Sequence, residues 1–101
     1  MAMYRSVMMK PQDHVAVALE NLTAGTQLEV KCHDYVIQLE LRNNIEFGHK
    51  FAVREIKMGE DVLKYGEVIG AASADIQIGE HVHVHNLEGK RGRGDKIVKS
   101  S

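Results

Sequence analysis

Gly79-Glu80-His81-Val82-His83-Val84-His85-Asn86 alternates imidazole with valine through its centre. A period of two belongs to an extended strand, whose successive side chains point to opposite faces. The pattern predicts His81, His83 and His85 on one face, with Val82 and Val84 anchoring the other to a core. Imidazole is the common transition-metal ligand and the usual acid or base near neutral pH. Three of the chain's six histidines lie here, so the run is a candidate site. A solvated face with idle rings is the alternative. Alternate Cα atoms on a strand lie about 6.5–7 Å apart, whereas Zn–N bonds are about 2.1 Å long. Two of these histidines with a residue from elsewhere therefore suit one ion better than all three.

Upstream of the run, Ala72 to Gly79 follows a short phrase: Ala, two residues, a polar residue, Leu or Ile, two residues, Gly. Ala18 to Gly25 and Ala52 to Gly59 follow it too. The polar positions are Asn21, Glu55 and Asp75, and the apolar ones Leu22, Ile56 and Ile76. Each glycine is followed three residues later by Leu28, Val62 or Val82. The phrase reads as a strand end, a tight turn that needs glycine's positive φ, and a new strand with an inward apolar residue. Its unequal spacing excludes a regular solenoid. Between the corners, Ile37, Leu39 and Leu41 alternate, as do Leu28 and Val30, Val15, Val17 and Leu19, and Phe51 and Val53. Residues 15–22 also fit a helix, with Asp13 as cap and Gly25 as stop. Strand is chosen because the matching segment from Phe51 to Ile56 is too short after Gly48 to form a good helix. The expectation is an all-β domain over residues 1–87, with at most short helical turns, followed by a flexible basic tail over residues 88–101.

Size and charge narrow the function classes. The 101 residues make one domain with a modest core. A net charge of −1 supplies no bulk field for nucleic acid or membrane. The tail has no aromatic residue to stack on bases, and no apolar run approaches the ~18 residues that span a bilayer. Cys32 is the only cysteine, so no internal disulfide forms. These features suggest a cytoplasmic protein. Open strand edges in a small β module favour pairing, so a homodimer is expected in isolation.

Phe47-Gly48-His49-Lys50-Phe51-Ala52, Val53-Arg54-Glu55-Ile56, Lys64-Tyr65-Gly66-Glu67-Val68-Ile69-Gly70 and the histidine run occur in this order. Together they resemble the small domain of the altronate dehydratase, galactarate dehydratase and sulfolactate sulfo-lyase family, closest to altronate dehydratase. The resemblance spans about Asp13 to Asn86. It implies a β-clip, SAF-like fold, used either as the N-terminal domain of a long enzyme or as a small subunit beside a large catalytic one.

The resemblance also implies a chemistry, β-elimination from a hydroxy-acid carboxylate. A base takes the proton beside the carboxylate, and water or sulfite leaves the next carbon. This needs a base of near-neutral pKa and positive charge where negative charge develops. A divalent metal, iron first, is implied, shared with or held by the large subunit. His49, Lys50 and His83 are the catalytic candidates. Lys64, Tyr65 and Arg54 are the candidates for binding a sugar-acid substrate, and His81, His83 and His85 for the metal. His49, Lys50, Lys64, Tyr65 and the histidine run are expected on one edge, facing the large chain. A non-catalytic module that binds acidic sugar or metal is the alternative. The lone Cys32 has no convincing catalytic neighbour.

Overall fold

The computed structural model describes residues 5–89, and among them there is no helix. Nine strands run in order: β1 (Ser6–Val7), β2 (Val15–Ala18), β3 (Gln27–Cys32), β4 (Tyr35–Glu40), β5 (Lys50–Ala52), β6 (Asp61–Lys64), β7 (Glu67–Ala72), β8 (His81–Val82) and β9 (Leu87–Glu88). They form a β1-β2-β5-β8 sheet, a β3-β4 hairpin and a β6-β7-β9 sheet. All pairings are antiparallel. The all-β expectation holds. Most of the basic tail, from residue 90 onward, lies outside the described residues.

The corner phrase occurs four times. The fourth copy, Leu41 to Gly48 with Asn44 and Ile45 inside it, begins with Leu in place of Ala. The corners clasp two by two. In the first pair, Leu22 and Ile45 exchange N–H···O bonds at 2.8 Å. Gly25 N donates to Leu41 O at 2.7 Å and Gly48 N to Ala18 O at 2.8 Å. The side chains reciprocate: Ala24 N donates to Asn44 Oδ1, and Phe47 N to Asn21 Oδ1, both at 2.8 Å. In the second pair Ile56 and Ile76 exchange bonds, Gly59 N donates to Ala72 O, and Gly79 N to Ala52 O. Met58 N donates to Asp75 Oδ1. In three of the four copies, at Asn21, Asn44 and Asp75, the polar residue of the phrase is thus an acceptor for a backbone N–H of the partner corner, while Glu55 accepts from Lys57 Nζ. The corner glycines all have φ between 85° and 92°. That left-handed conformation costs other residues roughly 1–2 kcal/mol.

Each clasp closes the base of one hairpin, β3-β4 in the first half and β6-β7 in the second. Each half has its own core. Leu22, Leu28, Val30, Leu39, Leu41, Ile45 and Phe51 cluster in one, and Ile56, Val62, Ala72, Ile76 and Val82 in the other. The inward residues three positions after Gly25, Gly59 and Gly79, namely Leu28, Val62 and Val82, are buried as expected, and Phe51 does the same after Gly48.

The β2 expectation is corrected in detail. Its buried residues are Val15, Ala16 and Ala18, while Leu19 is exposed. Val15 packs in the second core, Ala16 and Ala18 in the first. The strand lies between two cores, so alternation between apolar and polar gives way to alternation between two apolar destinations. β5 does the same with Phe51 and Ala52.

Candidate functional site

The site grows from the edge of the four-stranded sheet. β5 and β8 pair with Lys50 opposite Val82 and Phe51 opposite His81. Directly opposed residues share a face, and so do residues two apart along a strand. His49, just before β5, therefore lies on the face of Phe51 and His81, and the same register sets it opposite His83. Packing against the cores fixes the scaffold: Phe51, on the face of the rings, and Val82, on the opposite face, are both fully buried.

Three imidazoles converge there. His49, His81 and His83 each offer a ring nitrogen, and these atoms lie within 4.8 Å of one another. His49 Nδ1 stands 3.0 Å from His81 Nε2, with one ring donating to the other. The ring centroids are 5.2 Å apart for His49–His81, 5.0 Å for His49–His83 and 5.4 Å for His81–His83. Nitrogens sharing one ion through bonds of about 2.1 Å at tetrahedral or right angles stand roughly 3.0–3.4 Å apart, a spacing that His49 and His81 already have. Three converging imidazoles are a donor set of the kind that suits a divalent transition-metal ion.

Burial is the larger cause that holds the His81 ring below its ordinary value of 6.5. The neighbouring His49, His85, His83 and Lys50 act in the same direction. A neutral imidazole is the form that ligates. Burial, and then the nearby Lys64, likewise hold the Lys50 amine below its ordinary 10.5. Lys64 Nζ sits 5.0 Å from the centre of the Tyr65 ring. By the same register Lys50 stands opposite Val82, on the face away from the three rings.

The histidine run departs from a plain strand. β8 ends at Val82, and residues 83–86 turn. Asn86 makes the turn: its Oδ1 accepts the His83 N–H and its Nδ2 donates to His81 O, each at 2.9 Å. His85 falls outside the three-ring group and tilts against His81 at 5.5 Å. His49 takes the place expected of His85, since it approaches across the ladder while His85 is carried away by the turn. Val84, expected to anchor the strand, is 80% exposed at the turn's tip.

The candidate Arg54 and the lone cysteine, which was not a candidate, lie elsewhere. Arg54 Nη2 donates to Pro11 O at 2.8 Å, and its charge acts on His14. These contacts tie it to the β2 approach. Cys32 is buried in the first core, and burial raises its thiol above the ordinary 9.0. Asn43, Glu46 and Asn86 escaped the sequence reading. Asn43 Oδ1 accepts the His81 N–H at 2.9 Å, and Glu46 Oε1 lies 3.7 Å from His49 Nε2. One signal pointed to His49. The residue after each corner glycine is Thr26, His49, Glu60 or Glu80. Glu60 and Glu80 fold back onto their own turns, accepting from Lys57 N and Gln77 N. Histidine at this position is free to face the ladder instead.

The family model described as the altronate/galactarate dehydratase SAF domain matches residues 4–90. The chain is similar to altronate dehydratase of Bacillus subtilis, 44% identical over 77 residues, covering 76% of this chain and 15% of that protein. It is similar to altronate dehydratase of Escherichia coli, 47% identical over 74 residues, covering 73% of this chain and 14% of that protein. It is also similar to (2R)-sulfolactate sulfo-lyase subunit alpha of Chromohalobacter salexigens, 42% identical over 77 residues. That match covers 74% of this chain and 82% of the subunit. The chain thus spans a small part of the two dehydratases and most of the sulfo-lyase subunit.

Proposed function

Because the chain belongs to the altronate/galactarate dehydratase SAF-domain family, we propose that it is the small subunit, or a domain, of a sugar-acid hydro-lyase. It acts against a larger catalytic partner, and by itself it has little or no activity. The substrate is a hydroxy acid of the altronate kind and the product a 2-keto-3-deoxy acid. The observation that carries this reading is the convergence of His49, His81 and His83 at one sheet edge.

His49, His81 and His83 would hold a divalent ion, iron first, which when bound would supply positive charge beside the substrate carboxylate. The chain's own groups would do the rest. Lys50, with its amine held below the ordinary lysine range, is suited to take the proton from the carbon beside the carboxylate. Hydroxide leaves the neighbouring carbon and takes up the proton that Lys50 removed, departing as water. The enol that remains takes a proton at carbon and becomes the keto acid. Lys64 would bind the carboxylate as a point charge, with the Tyr65 hydroxyl for the sugar hydroxyls. The cytoplasm is the proposed location, supported by a free, buried Cys32.

Mixing the chain with a large chain of the same family and following keto-acid formation from altronate tests the proposal. Activity that needs both chains is expected. Full activity of the large chain alone would overturn it. A second reading, subunit alpha of a sulfolactate sulfo-lyase, is favoured by the 82% coverage of that small subunit. Sulfite released from sulfolactate, with no keto acid from altronate, would select it.

A further inference from the structure

Asn86 is 4% exposed at the close of the histidine run. Its amide reaches both ligand-bearing peptides, accepting from His83 N–H and donating to His81 C=O. Its own backbone N–H donates to His83 O at 3.0 Å, and its carbonyl accepts Ser73 N–H at 3.0 Å, which fastens the turn to the end of β7. The outward peptide groups of His81 are thus held on the N–H side by Asn43 and on the C=O side by Asn86.

We infer that Asn86 is the positioning residue of the imidazole triad: its amide sets the separation of His81 and His83. An untethered strand would leave alternate Cα atoms about 6.5–7 Å apart with their side chains roughly parallel. The Asn86 turn curls the chain instead, so that His83 stacks on both His81 and His49. The task needs a donor and an acceptor side by side on one short planar group, which the Asn86 carboxamide offers. Aspartate retains the acceptor for His83 but turns an acceptor towards His81 C=O. Partners that orient metal ligands typically change affinity about 10–100-fold when removed. The inference rests on reading the triad as a metal site.

The experiment titrates Co²⁺ into the full chain and its Asn86→Asp, Asn86→Ala and Leu87→Ala variants. The ligand-field absorption gives the affinity, and amide NMR spectra report the fold. Leu87→Ala is the structural control, because Leu87 packs on the second core beside Asn86. Both Asn86 variants are expected to bind at least tenfold more weakly, with Leu87→Ala within threefold of the parent. A folded Asn86→Asp chain binding within threefold of the parent overturns the inference. So does an Asn86→Asp chain that cannot fold, since Asn86 is then a folding residue. If the parent binds no Co²⁺, the metal reading is what fails. Ring-proton contacts between His81 and His83 then decide: their loss in folded Asn86→Asp supports the positioning role, and their persistence overturns it.

Discussion

Asp13 and Gly66 lie 53 residues apart, yet Asp13 Oδ1 accepts the Gly66 N–H at 2.8 Å. Its other oxygen accepts Tyr65 N–H at 3.0 Å and Lys10 N–H at 3.1 Å. This fully buried carboxylate therefore fixes the turn that carries Lys64 and Tyr65. Tyr65 sits there at φ 57°. Hydrogen bonds to a charged group contribute about 1.5–3 kcal/mol each, and stranded buried donors add a further penalty. Asp13→Ala should lower stability by about 3 kcal/mol or more. Urea unfolding measures it, and a loss below about 1 kcal/mol would contradict this account.

His14 gives the fold a pH dependence away from the imidazole triad. Its Nδ1 accepts the Leu63 N–H at 3.0 Å, so the ring's proton sits on Nε2. Burial, then Arg54, hold it below 6.5, against the opposite pull of Glu60, Asp13 and Asp61. Below 6.5 the unfolded chain binds a proton at His14 more readily than the folded one. Stability from this group is therefore present above 6.5 and declines as the pH falls through and below it. His14→Asn retains an acceptor for Leu63 and removes the titration. Thermal melts from about pH 7.5 to 5.5 should show a smaller drop for the variant than for the parent. Equal drops would count against the assignment.

The corner glycines are not equivalent in space. Gly25 and Gly79 both have φ 89°. A Cβ at Gly25 meets nothing within 4 Å, whereas one at Gly79 collides with the Glu40 carbonyl and crowds Arg42 N. Gly25→Ala should cost about 1–2 kcal/mol from backbone strain alone. Gly79→Ala should cost distinctly more and disturb the approach to β8. Parallel denaturant titrations compare the two, and equal losses would refute the packing argument.

Histidine truncations separate the triad from its neighbour. His49→Ala removes a ring of the converging group, and His85→Ala removes one outside it. A lost ligand should weaken Co²⁺ binding by at least about a hundredfold, the upper end for partners one shell further out. His85→Ala should stay within a few-fold. The reverse order would restore the three alternate histidines as the metal set.

Docking to the proposed larger partner is testable at two exposed apolar residues close in sequence to the rings. Phe47, two residues before His49, is 66% exposed, and Val84, between His83 and His85, is 80% exposed. A charge buried at an interface core is unfavourable. Phe47→Glu and Val84→Glu should each weaken association with the large chain at least tenfold. Val36→Glu, at an exposed position on the β3-β4 hairpin, should not. Calorimetry on the mixed chains reads all three.

Much of this architecture is legible in the residues because a corner has a strict local requirement. Polar acceptor, apolar residue and left-handed glycine recur at fixed spacing, and three copies are plain to see. The fourth is masked by Leu41, since its first position needs only to be apolar and inward. β2 misleads because two cores claim it, a fact no single-face pattern can express. The imidazoles of His81 and His83 are visible in the run, but His49 joins them only through the pairing of β5 with β8, which local sequence does not carry. Asn86 looks like an ordinary turn residue until its amide is seen between two peptides. Asp13 resembles a helix cap because a carboxylate gathering backbone N–H groups looks the same in sequence wherever those groups come from.

The paired corners also shape how the chain reaches its native state. Each clasp joins segments separated by a single hairpin, so its ordering demands only a modest loop closure. Such short-range contacts form early relative to distant ones. The two halves can therefore close independently, and the ladder between β5 and β8, which brings His49 to His81, grows directly out of the second clasp through Gly79 N–H to Ala52 O and Ala52 N–H to Glu80 O. The chemistry-bearing edge thus belongs to the second half and its clasp, while links of greater span, His14 to Leu63 and Asp13 to Gly66, tie the preceding segment onto it.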